Sequence, residues 1–174
     1  MNAEKLQTLQ APLKQRYREH PATALTPAQA EASLDCEDIA CVVRTWRGQT
    51  RAGLHPATGG TGELACSADM LLEALVACAG VTLRAVATAM GVRLRGGKII
   101  AEGNWDARGT LAIDKAAPVS LTDITLRFEL DTDEERAILD RLIATTERFC
   151  VIFQTLQNPP RFSVSYAAGP RQHQ

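Results

Sequence analysis

At 174 residues, with 45% hydrophobic and 22% charged residues, the chain carries enough apolar mass for one domain with an appended arm. A formal charge of −1, with lysines and arginines in no dense run, argues against nucleic acid or an anionic membrane as a partner. Five cysteines without a C-x-x-C pair, and three isolated histidines, argue against a secreted disulfide framework and against a structural zinc site. No metal or bound cofactor is therefore expected. Met1-Asn2-Ala3-Glu4 opens without a basic and apolar leader, so a cytoplasmic location is expected, where cysteines act as thiols.

In chain order, residues 4–18 read as an amphipathic helix carrying Leu6, Leu9, Leu13 and Tyr17 on one stripe, with Pro12 a site for a bend. Residues 21–33, rich in Ala, Pro and Thr, read as a linker or a second loose turn of helix. Residues 1–34 thus form a helical arm, either mobile or laid over a partner subunit. Residues 35–45 have the β-branched density of a strand, Trp46-Arg47-Gly48 turns it, and residues 49–54 return as a hairpin partner. The Gly-rich stretch 58–62 has no following Lys-Ser/Thr, which makes it a turn rather than a phosphate-binding loop.

Ser67 is the expected N-cap of a long helix over residues 69–90. At about 100° per residue, Asp69, Glu73 and Arg84 share one face. Cys78 falls opposite them, among Leu71, Ala74, Thr82, Ala85 and Ala89. A third stripe, Leu72, Val76, Ala79, Leu83, Val86 and Met90, is wholly apolar, so the helix is expected to be buried nearly all round. Its length is that of a membrane span, but three charges and Gly80 favour a soluble core.

Gly91 is the expected C-cap, and strands follow at residues 99–105 and 110–113. Residues 121–131 alternate cleanly, with Ile124, Leu126, Phe128 and Leu130 on one face. Thr132 and Glu135 suggest a capping box for a helix over residues 133–148, with Ile138, Leu142 and Thr145 inward. A short helix from Phe149 and an edge strand over residues 161–166 complete an α+β pattern; domain bounds are 35–168, with a tail at 169–174.

Two cysteines stand apart. Cys78 lies in mid-helix among small residues. Cys150 lies at a helix start just after Arg148, where dipole and guanidinium would both favour thiolate. Either residue could also serve only to fill space.

The run M-L-L-E-A-L-V-A-C ending at Cys78 and the run C-V-I-F-Q-T-L from Cys150, with Trp46-x-Gly48 and the Gly-rich turn, resemble the OsmC/Ohr family. That family is named for osmotically inducible protein C and the organic hydroperoxide resistance proteins; the likeness is to its OsmC-like branch, over residues 36–166. The resemblance implies an OsmC-like fold, with antiparallel sheets around a long buried central helix, in an intertwined homodimer. It also implies a thiol-dependent peroxidase in oxidative stress defence, acting on organic hydroperoxides and recycled by an external dithiol, for which a lipoyl group is one candidate. Cys78 matches the peroxidatic position and Cys150 the resolving one, which implies a Cys78–Cys150 disulfide in turnover. The family arginine falls nearest Arg51, with Arg47 and Arg44 as weaker matches. Two departures stand out: Ala68 occupies the place of a glutamate that holds the arginine in the hydroperoxide resistance branch, and Val151 stands where many members carry proline. Asp69, Glu73 and Glu63 are the acids near enough in sequence to substitute.

These residues leave three expectations. One is an organic hydroperoxidase. The second is a dimeric protein of the same fold that binds or senses a small electrophile or oxidant without efficient turnover. The third is a non-enzymatic module whose cysteines only pack.

Overall fold

The apolar stripe of the long helix finds its partners in a second helix and in the face of a small sheet. The computed structural model describes residues 1–45 and 47–169; Trp46 and the tail beyond residue 169, including His173, lie outside the described residues. Helix α1 (Ala3–Glu19) runs through Pro12, with Asn2 accepting from the Lys5 N–H at its start. Strands β1 (Glu31–Leu34), β2 (Ala40–Thr45) and β3 (Gly48–Gly53) form one antiparallel sheet, with Val42 opposite Arg51 and Cys41 opposite Ala52. Helix α2 (Ser67–Met90) follows. Then come β4 (Gly96–Asn104), a single helical turn α3 (Ala107–Thr110) and β5 (Thr122–Asp131), with β4 and β5 paired antiparallel in a second sheet. Helices α4 (Arg136–Phe149) and α5 (Val151–Gln157) complete the regular structure, which is α+β with antiparallel sheets.

The core forms where Leu83, Val86 and Ala87 of α2 meet Leu142 of α4, flanked by Ile99 and Phe128 of the second sheet. Burying a leucine of this kind contributes about 1.5–3 kcal/mol. Gly80 lets β4 cross α2 closely, since a Cβ there would come 3.3 Å from Ile99 Cδ1. Gly91, at φ 72°, ends α2 as expected of a left-handed cap, its N–H donating to Ala87 O and Thr88 O. In length and composition α2 could cross a membrane; here it lies against α1, α4, α5 and β4.

Within one chain its burial is one-sided. Leu75, Ala79, Leu83, Val86 and Ala87 are buried, whereas Val81 is 74% exposed and Leu71 and Ala74 are also exposed. The helix is therefore not covered all round by its own chain.

Other expectations shift for local reasons. The strand expected over residues 35–45 begins only at Ala40. Asp35 and Asp38 accept from the N–H groups of Glu37 and Ile39, which closes a loop there. The strand β1 before that loop was not expected. Cys66, not Ser67, is the N-cap of α2, and its side chain makes no capping bond. Residues 110–113 are not a strand, because Asp106 accepts from the Arg108 N–H and starts the turn α3. Thr132 does not cap α4: its hydroxyl donates to Arg93 O at 2.7 Å and accepts from the Glu134 N–H, and Glu135 becomes the N-cap. Leu142 and Thr146, rather than Thr145, are the fully buried side chains on the inner face of α4. The segment expected as a final edge strand has no regular structure and pairs with no strand among the described residues, leaving Phe162, Val164 and Tyr166 almost fully exposed.

Candidate functional site

Cys150 occupies a corner where two helices share one residue. Its N–H donates to Thr146 O at 2.9 Å, closing α4, and its carbonyl accepts from the Gln154 N–H at 2.9 Å, opening α5. The Gln154 side-chain amide donates back to Glu147 O at 2.9 Å and ties the corner together. At φ −76° and ψ 107°, Cys150 is extended, so the first N–H groups of α5 have no carbonyl from a preceding helical turn to meet. They meet sulfur instead. Those of Ile152 and Val151 act on Cys78, and those of Phe153 and Ile152 act on Cys150.

Cys78 thus faces Cys150 across the packing of α2 on α5, both as free thiols. Their surroundings drive them apart. Burial pushes the Cys78 thiol up, but the Ile152 N–H, the Cys150 thiol, the Val151 N–H and the Thr82 hydroxyl outweigh it and hold Cys78 below the ordinary cysteine value. Burial also pushes Cys150, only 1% exposed, up; the Phe153 N–H opposes this, and charge on Cys78 adds to the rise. One thiol is therefore suited to be a thiolate nucleophile, and the other a neutral proton-bearing partner. The expected Arg148 effect on Cys150 is not found, because that guanidinium lies 5.4 Å over the Phe149 ring.

Arg51 is not brought to this pair within the chain. Its guanidinium donates to Asp35 at 2.6 Å and lies 3.6 Å from Asp38. The Glu37 N–H, followed by Arg51, holds the Asp35 carboxyl below its usual range. Arg44 stands on β2 opposite Glu31 and Gln49, and Arg47 lies in the turn to β3, its N–H donating to Thr45. Ala68, Asp69 and Glu73 lie on the first turns of α2, with Glu63 before it. Ala68 and Leu71 line a cavity of about 370 Å³ with His55, Trp105, Val119 and Leu121. His55 meets Trp105 edge-on at 5.3 Å, and its Nδ1 accepts from the Ala57 N–H. Among the described residues, no cluster of three His, Cys, Asp or Glu side chains could hold a metal.

The two cysteines singled out in the sequence lie where α2 packs on α5, and two other features were not anticipated. Asp35 and Asp38, close on either side of Cys36, capture the arginine; two carboxylates in the turn of a hairpin beside a cationic strand were the available signal. Thr82, one turn beyond Cys78, was visible on the cysteine face but carried no assigned role.

Fold and site together define an α+β protein with a polarised dithiol between its long helix and a helix corner. Residues 60–165 match the family model of OsmC-like proteins, and the chain belongs to that family. An OsmC-like protein from Mycoplasma pneumoniae shares the fold at 19% identity, covering 77% of this chain and 89% of its own, with a TM-score of 0.65. An organic hydroperoxide resistance protein OsmC from Legionella pneumophila is similar at 15% identity, covering 77% and 91%, with a TM-score of 0.57. The organic hydroperoxide resistance protein OhrB of Bacillus subtilis is similar at 16% identity, covering 77% and 93%, with a TM-score of 0.51. Likeness at these identities concerns the fold. Comparison with curated proteins finds no sequence match.

Proposed function

We propose that the chain is a thiol-dependent peroxidase for organic hydroperoxides, with Cys78 as nucleophile and Cys150 as resolving thiol. The observation that carries this reading is the placement of two free thiols, Cys78 on α2 and Cys150 at the α4–α5 corner, where α2 packs on α5; a lowered Cys78 and a raised Cys150 fit the two roles. The Cys78 thiolate attacks the terminal oxygen of the hydroperoxide. The O–O bond breaks, the alkoxide takes up a proton and leaves as alcohol, and Cys78 becomes a sulfenic acid. Cys150 then attacks that sulfur, an S–S bond forms, and water leaves with the Cys150 proton. An external dithiol reduces the disulfide and is itself oxidised.

Arg51 is the cation proposed for the developing charge, and to serve it must exchange Asp35 and Asp38 for the reacting oxygen. That requirement supports a second reading, in which the dithiol captures an oxidant once and turns over slowly. The exposed Val81 side of α2 and the unpaired Phe162–Val164–Tyr166 segment support a homodimer, which a monodisperse monomer in sedimentation at micromolar concentration would exclude.

The functional test is consumption of an organic hydroperoxide with a lipoyl or simple dithiol reductant. Wild type should turn over, and Cys78→Ser should not. A single-turnover disulfide without continued consumption selects the second reading. Equal consumption by wild type and Cys78→Ser removes both.

A further inference from the structure

The side of α2 turned away from Cys78 meets β4 without closing on it. Gly80, Leu83 and Arg84 of that side, with Leu94, Ile99 and Leu130 across from them, line a cleft of about 420 Å³. That volume falls within the range of small-molecule sites, about 300–1,000 Å³. Leu83 is buried, whereas Leu94, Ile99 and Leu130 are only half-buried and keep apolar surface open to a ligand. Gly80 and the Gly96–Gly97 start of β4 border the cleft with backbone alone, so no side chain of theirs fills it.

Two guanidinium groups border the cleft, and only one is neutralised. Arg95 donates to Asp131 at 2.7 Å and to Asp133. Arg84 makes one hydrogen bond, at 3.3 Å to the carbonyl of Leu94, which is itself a lining residue. No carboxylate among the described residues pairs with Arg84. It therefore keeps most of its five N–H donors at the rim of an apolar space.

We propose that the cleft binds an amphiphilic monocarboxylate, its apolar body against Leu83, Leu94, Ile99 and Leu130 and its carboxylate on Arg84. A guanidinium can hold a carboxylate through two parallel N–H donors, and each methylene laid against the leucines leaves water. One negative charge fits and two do not. Asp131 and Asp133, which hold Arg95 at the same rim, would repel a dianion. The cleft lies across α2 from the thiol pair and takes no part in the peroxide chemistry.

Octanoate is the probe, followed by calorimetry and amide NMR in wild type, Arg84→Met and Arg84→Lys, with 1-octanol and octyl phosphate as comparisons. Octanoate should bind saturably and move the amides of Gly80, Gly97 and Ile99, leaving those of Ile152 and Phe153 at the thiol corner in place. Arg84→Met should weaken octanoate roughly 10-fold or more and leave 1-octanol unchanged. Arg84→Lys should fall between the two, since it keeps the charge and loses the fork. Absence of saturable binding overturns the proposal, as do shifts confined to the thiol corner or octanoate binding equally to wild type and Arg84→Met. Tighter binding of octyl phosphate than of octanoate overturns the monocarboxylate class. If Arg84→Met does not fold, octanoate against 1-octanol in wild type carries the same comparison, and equal affinity overturns the proposal. Binding is read without peroxide, so its failure and that of the peroxidase reading are separate results.

Discussion

The thiol corner and the first hairpin handle charge in opposite ways. At the corner, a sulfur that is to carry charge is surrounded by neutral donors, and the thiol beside it is buried and kept protonated. In the hairpin, a permanent cation is claimed by the nearest carboxylates, Asp35 and Asp38, in its own sheet's loop. The groups named at the corner all come from one chain. The hairpin spends its arginine locally. A guanidinium on an exposed strand pairs with the carboxylates adjacent to it, whereas unsatisfied helix-start N–H groups have no competing partner and remain for the sulfur.

The sharpest way to break this contrast is to remove the protonated thiol. With Cys150→Ser, an organic hydroperoxide should carry Cys78 past the sulfenic acid to the sulfinic acid, a gain of two oxygen atoms in intact mass. Wild type should instead lose two hydrogens. Capture of the sulfenic acid by Cys36, Cys41 or Cys66 would show that the corner does not resolve the nucleophile.

Val151→Pro is a gentler cut. Proline is well accepted at the first helical position, and the extended Cys150 before it suits a following proline, so the corner should keep its shape. Only the Val151 N–H is lost. Alkylation of Cys78 at neutral pH should fall roughly 3- to 10-fold. An unchanged rate would mean that Ile152 and Thr82 suffice.

Arg51→Met should have the smallest effect on the resting thiol, within about two-fold in alkylation, because the guanidinium belongs to Asp35 and Asp38 and its field is screened. Its effect on peroxide turnover should be larger, if the arginine moves to the reacting oxygen. An alkylation midpoint that rises as far as in Val151→Pro would show that Arg51 already serves the resting thiolate.

Much of this frame was legible where periodicity is long and one-sided. Strand β5 alternates half-buried and exposed along its whole length, as Ile124, Leu126, Phe128 and Leu130 imply. The stripe through Ala79, Leu83 and Val86 is indeed the buried side of α2. Short polar pieces were not legible. Strand β1, Glu-Ala-Ser-Leu, is only four residues long and leaves its apolar Ala32 and Leu34 exposed, so no buried apolar face marks it; it exists because β2 pairs with it. The reach of Arg51 to Asp35 depends on a hairpin register that residue spacing does not encode. Polarity at Cys150 was misread because proximity to Arg148 in sequence said nothing of burial, which decides the sign there.

The central claim is that the two thiols are polarised in opposite directions, and the pH dependence of each cysteine's alkylation in reduced wild-type protein tests it most directly. Thiolate is the reactive form, so each rate rises with pH and levels off above that group's pKa. The position of the midpoint, rather than the absolute rate, separates charge from access. The midpoint for Cys78 should lie below the ordinary cysteine value and that for Cys150 above it. Coincident midpoints, or a Cys150 that titrates before Cys78, would contradict the account.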